Sequence, residues 1–161
     1  MSVLDLKSRE LSRFDDKVIL VTGGASGIGR AAATMLAARG GKVVFCDIDS
    51  DGGQAAAATA GASFSKLDVT LEDDWVRVVA QAVSNHGAIH HLVNSAGINP
   101  TGSIVDADYK DWRRTFAVNV DGMFLGCKHV LRAMCAGGWQ GSIVNLSSPQ
   151  AYRTAPILVA Y

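Results

Sequence analysis

Short apolar runs alternate with alanine-rich or amphipathic segments along the chain. Five of these runs predict strands at residues 17–22, 42–47, 62–66, 90–94 and 142–146. Four other segments predict helices at residues 30–39, 51–60, 109–136 and about 70–85, the last with Thr70 as its cap. The first run has no polar alternation, which is typical of a parallel strand covered on both faces. The alternation predicts strand–helix–strand crossovers and hence an α/β fold with a parallel sheet.

The longest predicted helix carries a stripe of large, mostly apolar side chains at helical spacing. Such a stripe predicts core packing or a subunit interface rather than a ligand pocket. Its members are Trp112, Phe116, Val120, Phe124, Cys127, Leu131 and Met134.

Composition narrows the possible partners. The 161 residues carry 15 Lys+Arg and 15 Asp+Glu, and a chain without net charge is not expected to bind nucleic acid. No apolar run approaches the roughly 18 residues of a membrane span, and residues 1–16 lack the apolar stretch of a secretory signal. Three cysteines without CxxC spacing and four histidines at no metal spacing predict no disulfide framework, no metal site and a cytoplasmic location. The length predicts one domain over residues 1–161.

A glycine-rich turn, Thr22-Gly-Gly-Ala-Ser-Gly-Ile-Gly29, separates the first strand from the first helix. Glycines let a backbone turn tightly and approach a pyrophosphate, which the N–H groups of the following helix can bind. Asp47 ends the second strand 18 positions after Gly29, close to the spacing of a ribose-binding carboxylate. We therefore predict a dinucleotide site, the alternative being a packing turn with a solvent-facing Asp47.

The same carboxylate bears on the choice of nucleotide. A carboxylate can accept hydrogen bonds from both ribose hydroxyls, whereas it repels a 2′-phosphate. Ser26 precedes Gly27, and no lysine or arginine stands in the turn to bind an extra phosphate. The sequence therefore predicts NAD as the cofactor and disfavours NADP.

Five motifs in order resemble those of the short-chain dehydrogenase/reductase family. They are the turn Thr-Gly-x-x-x-Gly-x-Gly, the pair Asp68-Val69, Asn94-Ser-Ala-Gly97 with Ser95 in place of the usual second asparagine, Asn119 within Val-Asn-Val, and Ser142 to Ser148 followed by Tyr161 at a spacing of 13. The resemblance covers residues 17–161. It implies a Rossmann-type, doubly wound parallel sheet and hydride transfer between nicotinamide and an alcohol or ketone substrate.

The resemblance also implies roles for individual residues. The serine positions the substrate oxygen, the tyrosine exchanges its proton and the asparagine holds a water and fixes the local geometry. The spacing to Tyr161 favours Ser148 over Ser147 as this serine. A homo-oligomer, dimer or tetramer, is implied as well. The implied catalytic residues are Asn119, Ser148 and Tyr161, and the implied cofactor-binding residues are Gly23, Ser26, Gly27, Ile28, Gly29, Asp47, Ile48, Asp68, Val69, Asn94, Ala96 and Gly97.

The family also has a lysine four positions after the tyrosine, where the printed sequence has already ended at Tyr161. We therefore expect a C-terminally truncated domain with an incomplete sheet of about five strands. The first interpretation is an NAD-dependent oxidoreductase. The alternative is a catalytically inactive NAD-binding fragment or scaffold, and a related epimerase or dehydratase is a third possibility.

Overall fold

The computed structural model describes residues 14–153 and 161. Five parallel strands form one sheet in the order β3-β2-β1-β4-β5. The strands are β1 (Val18–Thr22), β2 (Lys42–Asp47), β3 (Ser63–Lys66), β4 (His91–Asn94) and β5 (Ser142–Asn145). The helices are α1 (Gly27–Ala38), α2 (Ser50–Thr59), α3 (Glu72–His86), α4 (Tyr109–Phe116) and α5 (Gly122–Gly137). The expected Rossmann-type α/β fold is confirmed.

Helices cover both faces of the sheet because each central strand is apolar on both sides. Ile19 and Val21 pack with Phe45 and small residues of α1 and α2. Leu20, between them on β1, faces the other way and packs with residues of α3 and α5, among them Trp75. All five residues of β1 are buried, as its unbroken apolar run predicted.

Two glycines let α5 lie close against the sheet and its connections. A Cβ on Gly126 would lie 2.7 Å from the Trp75 ring and 2.8 Å from Asn94 Oδ1. A Cβ on Gly122 would lie 2.8 Å from Val69. These approaches bring the first turns of α5 beside the end of β4.

Three predictions about helices need correction. The long helix is not continuous, because a π-helical segment, Ala117–Asp121, separates α4 from α5. Helix α1 begins at Gly27, inside the glycine turn, rather than at residue 30. Thr70 does not cap α3, because the helix begins at Glu72 and Leu71 occupies the cap position; the Thr70 hydroxyl donates to Asp68 Oδ1.

The apolar stripe is only partly a core feature. Met134 is buried, but Phe116, Val120, Phe124 and Leu131 are 36%, 52%, 64% and 49% exposed. We call these four exposed residues the outer strip. Within the described part of the chain, no helix is both long and apolar enough to cross a membrane.

Candidate functional site

The sequence-predicted residues collect at one edge of the sheet. Thr22, Asp47, Asn94 and Asn145 are the last residues of β1, β2, β4 and β5. Since all strands are parallel, the segments that follow them emerge at the same edge. The chain leaves β1 for β2 on one side and reaches β4 on the other, and a crevice at such a switch point is the usual ligand site of this architecture.

The glycines of the turn meet three different demands. Gly23 has φ +70°, and a Cβ there would lie 3.0 Å from the backbone nitrogen of Ala96. A Cβ on Gly29 would collide with the carbonyl oxygen of Gly23, so α1 can approach the turn only with glycine here. Gly27 has φ +53° and open space where its Cβ would be. The turn is therefore tightly packed on its inner side and open on its outer side.

The N-terminus of α1 is exposed at this open side. Ser26 makes no side-chain capping hydrogen bond, and the first turn holds no acidic residue. Ser26, Gly27 and Ile28 are exposed, Ile28 to 71%. The first N–H groups of a helix have no intrahelical partner and carry partial positive charge, so this end of α1 suits a phosphate-bearing ligand.

Asp47 is fixed beside the turn by backbone hydrogen bonds. Its Oδ2 accepts from the Ala25 N–H at 2.9 Å, and its Oδ1 accepts from the Asp49 N–H at 3.0 Å. A carboxylate has about four acceptor positions, so it can still accept bonds from a ligand. The next residue, Ile48, is 61% exposed.

Asp68 and Val69 follow β3 at the same edge. The Asp68 carboxylate accepts from the Thr70 N–H at 2.9 Å and from the Thr70 hydroxyl at 2.7 Å. Its own N–H donates to Asp74, whose carboxyl pKa is lowered by the hydrogen bond from Arg77. Val69 is only 8% exposed and helps to line a narrow crevice with Thr22, Asn94 and Ala96.

Asn94 acts inside the protein rather than at its surface. It is 3% exposed, and its Nδ2 donates to Asn145 Oδ1 at 2.8 Å, which joins the ends of β4 and β5. The sequence predicted a cofactor contact at this position. That contact stays a prediction, and Ala96 and Gly97 lie in the segment that follows β4.

Thr22 has a role that was not predicted from the sequence. Its buried hydroxyl oxygen accepts from the N–H groups of both Ser95 and Ala96 at 3.0 Å. The hydrogen bonds tie the end of β1 to the segment after β4, directly below the glycine turn. A hydroxyl residue ending a fully apolar strand was the available signal, because a buried hydroxyl needs partners.

Asn119 lies within the π-helical segment and clamps the segment after β4. Its Oδ1 accepts from the Ile98 N–H, and its Nδ2 donates to the Ile98 carbonyl, both at 2.9 Å. A Cβ on Gly97 would lie 3.4 Å from the Asn119 Oδ1. These two hydrogen bonds explain why an asparagine occupies a helical position that its low helix propensity disfavours.

Ser148 and Tyr161 are not brought into contact. Ser148 Oγ accepts from the Gln150 N–H at 3.2 Å and caps a short 3₁₀ turn, Pro149–Ala151. Ser148 is half-buried, whereas Ser147 is exposed. Tyr161 is 42% exposed, and within the described residues no hydrogen bond joins it to Ser148 or Asn119.

Comparison with known proteins adds to this geometry. The family model for short chain dehydrogenase matches residues 17–161. Trans-4-hydroxycyclohexanecarboxylate dehydrogenase of Sinomonas cyclohexanicum is 41% identical over 152 residues, covering 88% of this chain and 58% of that protein. The 3-alpha-(or 20-beta)-hydroxysteroid dehydrogenase of Mycobacterium bovis is 43% identical over 138 residues, covering 84% and 53%. The chain thus spans little more than half the length of these relatives.

A solved structure shares the fold over the same part of the chain. It is a short-chain type dehydrogenase/reductase from Mycobacterium ulcerans, with a TM-score of 0.88 and 34% sequence identity. The similarity covers 93% of this chain and 57% of that one.

Proposed function

The chain belongs to the short-chain dehydrogenase family, whose members generally bind NAD or NADP, and on this premise we propose that residues 1–161 form the single nucleotide-binding domain of an NAD-dependent oxidoreductase. The whole protein interconverts a secondary alcohol on a saturated ring and its ketone. Two relatives support this substrate class, since their names specify a hydroxyl group on a cyclohexane ring and on a steroid.

The observation that carries the nucleotide proposal is the open space at Gly27, at the exposed N-terminus of α1. Backbone N–H groups of α1 bind the pyrophosphate, and Asp47 accepts hydrogen bonds from the ribose hydroxyls. The segment Ala96–Gly97 lines the side of the site toward β4. Bound nicotinamide supplies the hydride chemistry.

The preference for NAD is tested by titrating NADH and NADPH against the protein. NADH should bind at least about tenfold more tightly, because the Asp47 carboxylate repels a 2′-phosphate. Asp47→Asn should remove most of that difference. Asp51→Asn is the matched control, because Asp51 is an exposed carboxylate in the first turn of α2. Equal affinities in the unmodified protein would contradict the preference, and no binding of either nucleotide would contradict the function.

The protein's own groups handle the substrate oxygen and its proton. Ser148 Oγ already accepts one hydrogen bond from the Gln150 N–H, so its proton is available for donation to the substrate oxygen. Tyr161 gives or takes the proton as general acid or base. The side-chain amide of Asn119 is hydrogen-bonded to Ile98. The backbone carbonyl of Asn119 is therefore the group that holds the water.

Turnover tests these roles on the whole protein with cyclohexanol and trans-cyclohexane-1,4-diol. Ser148→Ala and Tyr161→Phe should each lower kcat/KM by about 10²- to 10⁴-fold while leaving the Kd for NADH unchanged. Ser147→Ala is the matched control and should be silent. Nucleotide binding without turnover of any ring alcohol would favour the alternative, an NAD-binding scaffold.

The outer strip supports a homo-oligomer, a dimer or tetramer. Four large apolar side chains lie exposed in one row on α4, the π-helical segment and α5, and contiguous exposed apolar surface commonly marks an interface. Phe124→Asp should shift the protein to monomer in sedimentation velocity. Val105→Asp, at a residue that is 87% exposed outside the strip, should not.

A cytoplasmic location completes the proposal. Cys46, Cys127 and Cys135 are all free thiols, as a reducing compartment would keep them. Fractionation of the expressed protein tests this location.

A further inference from the structure

A cleft of about 340 Å³ lies between the segment after β4 and helix α4. Its lining residues are Ile98, Asn99, Pro100, Asp111 and Arg114. This volume falls within the range of small-molecule sites. Ile98 is also the residue whose backbone N–H and carbonyl are held by Asn119, so one wall of the cleft is fixed directly to the candidate catalytic region.

The cleft adjoins Asn119, one of the proposed catalytic residues, through its lining residue Ile98. Arg114 precedes Asn119 by five positions, which is between one and two helical turns. The cleft also faces away from the outer strip, because Phe116 lies about 140° around the helix from Asp111 and about 160° from Arg114. Association through the outer strip therefore leaves the cleft open.

The α4 wall presents two opposite charges that the fold does not use. Asp111 and Arg114 are three positions apart and share a face of α4. Both are exposed, and among residues 14–153 and 161 neither side chain makes a hydrogen bond or an ion pair. Asp108, by contrast, is spent on capping α4 through the Lys110 N–H.

The two walls suit different parts of one ligand. Ile98 and Pro100 offer apolar surface to a ring. Arg114 can only donate hydrogen bonds and ionised Asp111 can only accept them, so a hydroxyl group, which does both, satisfies the pair. A carboxylate would gain from Arg114 but meet like charge at Asp111.

We infer that this cleft is a substrate subsite for a second, neutral hydroxyl group at the far end of the ring alcohol. The inference rests on the proposed function and names its substrate class more closely, as a ring diol. Arg114 and Asp111 determine the specificity, and neither touches the reacting carbon.

Kinetics with three alcohols test the inference: cyclohexanol, trans-cyclohexane-1,4-diol and trans-4-hydroxycyclohexanecarboxylate. The diol should exceed cyclohexanol in kcat/KM by about tenfold, as expected for one hydrogen bond to a charged group. Asp111→Asn and Arg114→Gln should each bring that ratio close to one, mainly through KM. Arg113→Gln, which removes the same charge about 100° around α4 from Arg114 and outside the cleft lining, should leave it unchanged.

A binding measurement gives a readout that is independent of turnover. With NADH present, which cannot accept a hydride from the alcohol, the diol should shift the amide NMR signals of Ile98 and Asn99, and Arg114→Gln should weaken its Kd about tenfold. No diol preference, an equal effect of Arg113→Gln, or a preference for the carboxylate that Arg114→Gln removes would each overturn the subsite. Failure to bind nucleotide, or to oxidise any of the three alcohols, would instead overturn the proposed function.

Discussion

The first strand of the sheet depends on an imidazole that must stay neutral. The N–H of Val18, the first residue of β1, donates to His90 Nδ1 at 3.0 Å, and only an unprotonated nitrogen can accept it. Val18 is 1% exposed, so water cannot easily replace the acceptor. Burial, followed by the charges of Lys17 and Lys42, lowers the pKa of His90 below its ordinary value.

The sign and size of the effect on stability follow from this geometry. Because the folded protein favours neutral His90, the stabilisation is complete above the unfolded pKa of about 6.5 and is lost as pH falls through the lower folded pKa. A buried N–H left without a partner costs about 1–3 kcal/mol. His91 contributes to the same loss of stability at low pH, because burial, followed by the charge of His90, lowers the pKa of His91 as well.

Urea unfolding at pH 7.5 and pH 5 measures the effect. The unmodified protein should lose about 1–3 kcal/mol between the two, a large part of a typical stability of about 5–15 kcal/mol. His90→Asn keeps an acceptor oxygen that does not titrate. The variant should therefore lose much less unfolding free energy between the two pH values than the unmodified protein. His86→Asn, at the end of α3, is the control. An equal loss in the unmodified protein and His90→Asn would refute the reasoning.

Three further substitutions test other contacts. Thr22→Val should destabilise by about 2–3 kcal/mol in urea unfolding, because two backbone donors lose their acceptor, and Thr22→Ser should recover most of it. Gly29→Ala should weaken NADH binding at least about tenfold by pushing α1 off the turn, whereas Gly102→Ala, in open space, should bind normally. Glu72→Gln should lower Tm slightly at neutral pH and not in high salt, because Glu72 is an exposed partner of Lys128 and His129. An unchanged unfolding curve for Thr22→Val, normal NADH binding by Gly29→Ala, or a salt-independent loss in Glu72→Gln would contradict these expectations.

The sheet could be predicted because its pattern is local and redundant. Strand β2 occupies residues 42–47 as predicted, and the other strands differ by one residue at one end. A buried parallel strand needs an unbroken apolar run, which the sequence displays directly. The same applies to the glycine turn, where Gly23 and Gly27 have positive φ and Gly29 leaves no room for a Cβ.

The π-helical segment could not be predicted because its cause is a contact distant in sequence. Asn119 takes both backbone groups of Ile98, which lies 21 positions earlier. Nothing in the local pattern announces that partner, and the apolar stripe continues through the segment at an ordinary helical period. Thr70 is not the cap because α3 begins two residues later, at Glu72, with Leu71 at the cap position.

Two clamps hold the short segment between residues 95 and 98 from opposite ends. Thr22 holds the N–H groups of Ser95 and Ala96, and Asn119 holds both backbone groups of Ile98. The segment separates the glycine turn from the cleft against α4, so it forms a wall of both. Because four hydrogen bonds from β1 and the π-helical segment fix three of these four consecutive residues, the wall cannot shift toward one ligand without losing bonds. The proposed nucleotide site and the proposed subsite therefore share one preorganised wall, and the order of binding need not involve a rearrangement of it.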